Sequence, residues 1–385
     1  MEPEIQPRPT VGSPTGQAVK GAPVAAVAKV AMPEPRGIEW VSFGEDGFRV
    51  GWRIAAFALL LKMVFQVVGF AFALLHLTGS SGGFSASDAL INELAGFVTA
   101  VVAVAVMARV EERRILDYNL RGTHRLAHFG GGMAAGFLAL SALVGILAWG
   151  HWLTFGAASL SGAEIAQYGS VWAVTFLLVG FVEEGTMRCY AQYTLARGIN
   201  FWWALSAVAG TCLYLVVRPR GNGAWGVFAF AAVGLIPCLV LHLKKVEGAK
   251  FWQAAWATST FFGFGHTVNY GENWIGIFAA SLIGFVFCAS VKVTGSAWWA
   301  IGCHAAWDWG ETFFYGTADS GFTAQGHFFT STPAGATLWS GGADGPEGSV
   351  LVVPVVVLLL AAVALIYGRG KAAAVNQEAG ATQVG

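Results

Sequence analysis

The stretch VWAVTFLLVGFVEEGTMR, residues 171–188, decides the fold. Its first part, residues 171–182, carries no charge, and two adjacent glutamates, Glu183 and Glu184, follow directly. An ionised carboxylate at the centre of a lipid-embedded helix costs about 3 kcal/mol on insertion scales, so such groups are retained mainly where they function. The stretch therefore predicts a membrane span that contains a functional site.

The composition of the whole chain agrees with a membrane protein. Of its 385 residues, 56% are hydrophobic and only 11% are charged, whereas soluble domains average about 25% charged residues. The 22 basic residues balance the 22 acidic ones, and no basic block marks a surface for DNA or RNA. The sequence thus predicts an integral membrane protein and excludes a nucleic-acid partner.

Apolar runs that are long enough to cross a bilayer as helices follow one another from residue 54 to residue 367. They predict an all-α polytopic membrane protein, a bundle of about 8–10 transmembrane helices with the active site inside the bundle. The candidate spans are Ile54–Leu77, Ala89–Met107, Gly130–Phe155, Gly169–Ala196, Phe201–Val217, Ala224–Leu243, Phe251–Val268, Trp274–Val291, Ala297–Phe314 and Val350–Tyr367.

Lysine and arginine fall almost entirely in alternate loops, which indicates the cytoplasmic side. Only Arg218 and Arg220 break this alternation. The pattern predicts a multi-pass protein of the cytoplasmic (inner) membrane with both termini in the cytoplasm. We expect a flexible cytoplasmic arm over residues 1–48, a transmembrane domain over 49–368 and a flexible cytoplasmic tail over 369–385.

Ionisable residues inside three of these spans are the candidate site. Glu184 and Arg188 lie four residues apart on one helix face, where an ion pair can form, while Glu183 points about 100° away from Glu184. His266 lies in the seventh span, and His304 and Asp308 share one face of the ninth. We expect these three helices to bring their acids and imidazoles together.

Three further charged residues lie in the first two spans. Lys62 is in the first span, and Asp88 and Glu93 belong to the second. We expect an internal pairing among them, or a lysine that extends to the membrane surface, rather than a part of the site.

The order Glu-Glu-x-x-x-Arg, Phe-x-x-x-His and His-x-x-x-Asp on three apolar helices resembles the CPBP family of intramembrane proteases. This family includes the type II CAAX prenyl proteases and the bacterial Abi proteins, and the resemblance covers residues 165–314 as a protease-like core. It implies that Glu183 activates a water with help from His266 and that Glu184 and Arg188 hold the site together. His304 and Asp308 would stabilise the oxyanion or complete a metal site.

The chain departs from the family pattern between the first two motifs. Residues 201–250 add about two spans there, an inserted helical hairpin, where the family has a short connection. Asp308 also stands where many members carry asparagine. Beyond the core, residues 315–349 form a predicted extracytoplasmic loop, which we expect to act as a connector, with a lid or a partner-binding loop as the alternatives.

Two chemical routes and several functions remain open from the sequence. Either Glu183 acts without a metal, or Glu183, His266 and His304 hold Zn²⁺, so the cofactor is none or Zn. The expected function is an endopeptidase for membrane-associated proteins or peptides. The alternatives are a non-catalytic scaffold or immunity-type protein on the same fold and an ion-coupled transporter.

Overall fold

The computed structural model describes residues 42–382 apart from 45–46, 78–84, 219–228, 230, 247 and 270. The chain divides into two units, residues 1–47 and 48–385, and all but a few residues of the first lie outside the described part. The predicted arm over residues 1–48 therefore falls almost wholly outside it. The turn of the inserted hairpin, with Arg220, also lies outside the described residues.

The described chain is a helical membrane protein, as the apolar runs predict. Each of the ten candidate spans overlaps a helix of the described chain, and five of the described helices are long and apolar enough to cross a membrane. The helices are α1 (Val50–Leu74), α2 (Ala86–Val110), α3 (Arg125–Trp149), α4 (Ala163–Glu184), α5 (Phe201–Val217), α6 (Ile236–Leu243), α7 (Ala249–Gly265), α8 (Trp274–Thr294), α9 (Trp298–Trp309), α10 (Thr337–Ser340) and α11 (Val352–Thr382).

Short irregular helices and strands complete the architecture. Strand β3 (Leu153–Ala158) pairs in antiparallel fashion with β4 (Phe329–Pro333), so the loop after α9 is joined to the end of α3. Helix α11 continues past residue 369, where the sequence predicts the tail. The remaining elements are β1 (Phe43–Gly44), β2 (Gly47–Phe48), a single α-helical turn (Gln192–Leu195), three 3₁₀ turns (Ile115–Asp117, His266–Val268, Pro346–Gly348) and three π-helical segments (Gly185–Ala191, Ala231–Leu235, Gly310–Tyr315).

Helix α8 lies at the centre of the bundle, with 83% of its most apolar stretch buried. It begins at Asn273, whose side-chain oxygen accepts a hydrogen bond from the Ile275 backbone N–H at 2.7 Å. It ends at Gly295, which has a φ of +78°, a conformation that glycine adopts without strain. Helices α7, α9 and α11 pack around it. Helix α8 therefore lies next to the helices that carry His266 and His304 and contributes to the lining of the same cavity.

Helix α9 is held against α3 by contacts that only glycine permits. A side-chain carbon at Gly132 or Gly136 would overlap the carbonyl oxygens of Trp299 and Cys303, and one at Gly302 would overlap the carbonyl oxygen of Phe129. Small residues let membrane helices approach closely and gain packing contacts. This close packing fixes the depth and rotation of α9, the helix that carries His304.

Candidate active site

His304 connects α9 to both adjacent glutamates of α4. Its Nδ1 lies 2.9 Å from Glu184 Oε1 and its Nε2 lies 3.7 Å from Glu183 Oε2. Asp308, one turn further along α9, places Oδ2 3.4 Å from the same Nε2. One imidazole therefore has carboxylate oxygens at both ring nitrogens, which is the convergence that the sequence predicts.

Glu184 forms the predicted ion pair with Arg188. The two side chains are fully buried, with the carboxylate oxygens 3.2 Å from both Nη1 and Nε of the guanidinium. The guanidinium lies over the rings of Phe262 and Phe287, 4.3 and 5.3 Å from their centroids, and such cation–π contacts are strongest when desolvated. The pair is thus enclosed by aromatic rings from α7 and α8.

The α-helical hydrogen-bonding pattern of α4 ends at this pair and continues as a π-helix. The π-helical segment Gly185–Ala191 follows Glu184 directly, and another, Gly310–Tyr315, follows α9. π-helical turns are rare and occur frequently at functional sites. Asn119 secures the first segment, because its side-chain amide donates to the Arg188 carbonyl at 2.7 Å.

His266 reaches the site from the C-terminal end of α7. Its Nδ1 lies 2.9 Å from the Phe262 carbonyl oxygen. A carbonyl can only accept, so Nδ1 carries the proton and the Nε2 of the neutral ring is left as an acceptor. His266 can therefore accept a hydrogen bond from a water or a substrate N–H.

Glu183, His266 and His304 all line one cavity of about 250 Å³. The Glu183 side chain is 37% exposed, unlike the fully buried Glu184 next to it. Asp308 also lines the cavity, whereas Glu184 and Arg188 lie behind its wall. The structure therefore separates the predicted residues into a set that faces the cavity and a buried pair that supports it.

Several polar residues of this cavity were not predicted from the sequence. Glu93 of α2 faces the cavity and forms no ion pair with Lys62 among the described residues, so the expected pairing is wrong for this lysine. Asn269 and Ser320 also contribute, together with two carboxyl groups of the loop after α9, Asp319 and Glu347. The carboxylate of Glu93 within an apolar span was a signal in the sequence, but no pattern marked the loop residues.

The loop over residues 315–349 forms part of the lining of the cavity through Asp319, Ser320 and Glu347. Asp344 ties it to the start of α8 by accepting from the Asn273 N–H at 3.0 Å. Burial, together with the charge of Glu272, raises the pKa of Asp344 to about 8, and burial likewise raises the pKa values of Asp319 and Glu347. These loop carboxyls therefore hold protons more firmly than exposed carboxyls do.

A second opening of about 280 Å³ adjoins the cavity and shares Glu183, His266 and Asn269 with it. It lies between the end of α4 and the end of α7, where Phe261 is 57% exposed on the outer surface. Phe261 and Glu183 both line this opening, which therefore lies at the surface of the bundle beside Glu183.

The proposed zinc ligands do not have the arrangement of a metal site. Among the described residues, no three His, Cys, Asp or Glu side chains are grouped so that they could hold a metal ion. Both nitrogens of His304 face carboxylates, and Nδ1 of His266 bonds to a carbonyl. The geometry does not support the zinc route, and no step below passes through a metal.

Comparison with known families gives a match over part of the chain. The model of the family described as type II CAAX prenyl endopeptidase Rce1-like matches residues 238–310. The matched segment is similar to this family of CAAX-type proteases. This match confirms the resemblance predicted from the motifs. No curated protein and no solved structure matches the chain significantly.

The CAAX-type segment contains part of the candidate site. His266, His304 and Asp308 lie within residues 238–310, whereas Glu183 and Arg188 precede them. The match also begins inside residues 201–250, the predicted insertion, so the last part of that region is common to the family.

Proposed function

We propose that the protein is an intramembrane endopeptidase that cleaves peptide bonds of membrane-associated proteins or peptides. One observation carries the proposal: Glu183, His266 and His304 come from three different helices and line a single cavity. Peptide hydrolysis needs a base for the attacking water, donors for the developing oxyanion and a site that limits solvent. The family match agrees with this reaction class.

Glu183 is the proposed general base. Its partly exposed carboxylate accepts a proton from a water whose oxygen adds to the substrate carbonyl carbon. The Nε2 acceptor of His266 orients this water by accepting its second hydrogen. As the carbon–nitrogen bond breaks, the proton held by Glu183 passes to the leaving nitrogen, so the water is divided between the two products.

His304 is the proposed donor to the carbonyl oxygen. Glu184 holds the ring through the 2.9 Å contact at Nδ1, which directs Nε2 towards the cavity. Asp308 lies at the same Nε2 and keeps the ring in this orientation until substrate arrives. Arg188 balances the charge of Glu184, so these two residues position His304 without contacting substrate.

The substrate would enter from the bilayer through the opening between α4 and α7. The protein would act in the cytoplasmic membrane with both termini in the cytoplasm, as the lysine and arginine distribution predicts. Prenylated CAAX proteins, the class in the family's description, are one group within the proposed range of membrane-associated substrates.

The variant Glu183→Gln tests the proposed base. Purified wild-type protein in lipid vesicles should cleave a quenched fluorescent peptide, supplied as a farnesylated CAAX peptide and as an unprenylated membrane-spanning peptide. Glu183→Gln should lower turnover about a hundredfold to ten-thousandfold, because general-base catalysis typically contributes that much.

The matched control is Glu164→Gln, on the same helix but in its exposed first turn. It should retain wild-type turnover, and both variants should unfold at the wild-type temperature. If Glu183→Gln cleaves as fast as Glu164→Gln, the assigned base is wrong, and if wild type cleaves neither peptide, the proposed function fails.

A chelator tests the metal-free route. Because the described site groups no three metal-ligating side chains, turnover should persist after treatment with a strong zinc chelator. Metal analysis of the purified protein should find less than one zinc per chain. Loss of turnover on chelation, restored by added Zn²⁺, would contradict the metal-free mechanism while leaving the peptidase function intact.

A further inference from the structure

Lys62 lies at the midpoint of α1, the helix with the smallest buried share among the five long apolar helices of the described chain. It is twelve residues from either end of Val50–Leu74, which corresponds to about 18 Å along the axis. Only 6% of the most apolar stretch of α1 is buried, and Phe57 is its one buried residue. Lys62 is exposed and points away from the face on which Phe57 packs.

With the midpoint of α1 at the centre of the bilayer, the ammonium group of Lys62 cannot reach the membrane surface. The hydrocarbon core is about 30 Å thick, so a residue near its centre is roughly 15 Å from either interface. A lysine side chain, with four methylene groups, is much shorter than this distance. Extension to the surface, which explains lysines near helix ends, therefore does not explain Lys62.

A second polar group lies one turn away on the same outer face. Gln66 follows Lys62 by four residues, which places the two side chains next to each other on the helix, and Gln66 is also exposed. The structure gives neither side chain a hydrogen bond or an ion pair among the described residues. Gly69 continues the face one turn further, and no atom lies within 4 Å of the position of a side-chain carbon there.

We propose that this outer face of α1, formed by Lys62, Gln66 and Gly69, binds a membrane-spanning helix of another protein that carries an aspartate or glutamate at mid-depth. A carboxylate would neutralise Lys62, and the amide of Gln66 would donate to it or to a neighbouring polar group. Polar side chains bond across helices in membranes, and glycine allows the close approach that such bonds need.

The described helices of a second copy lack the required group. Glu93 and Glu183 face the cavity, while Glu184, Asp308 and Glu311 are buried. No described helix exposes a carboxylate on its outer face near its midpoint. The charge complementarity therefore indicates a different protein, and this inference does not depend on the proposed peptidase activity.

The probe is a synthetic leucine-rich transmembrane helix with one central glutamate, compared with the same helix carrying central leucine or lysine. Energy transfer between the acceptor-labelled helix and the donor-labelled full chain in lipid vesicles measures association. We expect the glutamate helix to bind wild type about tenfold more tightly than the leucine helix, a difference in the range of interhelical polar contacts.

Variants of α1 separate the charge from other effects. Lys62→Met should abolish the preference for glutamate, Lys62→Arg should keep it, and Lys62→Glu should transfer the preference to the lysine helix. Gln66→Leu should weaken binding about threefold, and Leu59→Ala, one turn away on the same outer side, should change nothing. All five variants should unfold at the wild-type temperature, since these side chains are exposed.

Two results would overturn the proposal. One is equal binding of the glutamate and leucine helices, or a glutamate preference that survives Lys62→Met. The other is association of the chain with itself that is lost in Lys62→Met and is unaffected by the glutamate helix, which would assign the face to a second copy.

Discussion

Helices α1 and α8 have nearly the same mean hydropathy, yet they occupy opposite environments. Their buried shares are 6% and 83%. A helix that faces lipid must have an apolar surface, and a helix at the centre of the bundle can also have one. Hydropathy therefore identifies membrane spans but does not show which of them are buried in the protein. What distinguishes α8 is how its small and aromatic residues meet neighbours: Gly284 makes room for Arg188, and Phe287 stacks on His304.

The largest expected difference is in the free energy of unfolding after removal of one of two charges. Arg188 is covered by α8, whereas Lys62 is exposed on α1. Arg188→Met should lower the free energy of unfolding by about 3–5 kcal/mol, because Glu184 would remain as a buried charge without its partner. Lys62→Met should change it by less than about 0.5 kcal/mol, as expected for exposed sites.

Denaturant unfolding of both variants in the same lipid-detergent mixture measures this difference. Equal losses of unfolding free energy in the two variants would contradict the difference in burial between Arg188 and Lys62.

A pair of glycines gives the next largest contrast. A methyl group at Gly284 would overlap Nη2 of Arg188, and overpacking of this kind typically costs about 1–3 kcal/mol. Gly69 has open space around it, so Gly69→Ala should be neutral or gain up to about 1 kcal/mol from helix propensity. Thermal unfolding of Gly284→Ala and Gly69→Ala checks this, and a Gly284→Ala protein as stable as Gly69→Ala would contradict the packing.

The smallest effect is expected for a pair of phenylalanines. Phe287 stacks on His304 with ring centroids 5.5 Å apart and also lies beside Arg188, so Phe287→Leu should cost about 1 kcal/mol. Phe65 of α1 is 53% exposed, and Phe65→Leu should cost less than about 0.5 kcal/mol. Peptide cleavage should fall in the first variant only, and an equal loss in both would remove the role given to the Phe287 ring.

The sequence was sufficient to predict the helices and the part of the candidate site that lies within them. Each predicted span overlaps a helix of the described chain because about 20 apolar residues in lipid have few alternatives to helical structure. Glu184, Arg188 and His304 were identifiable because ionisable groups are costly in such spans. Their spacing also predicted the Glu184–Arg188 ion pair that the structure contains.

Features that depend on contacts between residues far apart in the chain could not be predicted from the sequence. The path of residues 315–349 brings Asp319 and Glu347 to the cavity, but it is set by the pairing of β4 with β3 and by the bond from Asn273 to Asp344. Glu93 was assigned to a lysine because both lie in neighbouring spans. Which side of a helix faces the bundle is decided by packing, and similar apolar residues cover both sides of α1 and α2.

The contact between His304 and Glu184 has a consequence for biosynthesis. These residues are 120 positions apart in the chain, and Val352 and Val356 of the last helix also line the cavity. Under the proposed mechanism, a ribosome that has delivered α4 has supplied Glu183, the proposed base, but neither His266 nor His304, so the nascent polypeptide would not hydrolyse its neighbours while it is being inserted. The proposed peptidase would then become competent only when translation is nearly complete, which would spare the translocation machinery from premature proteolysis.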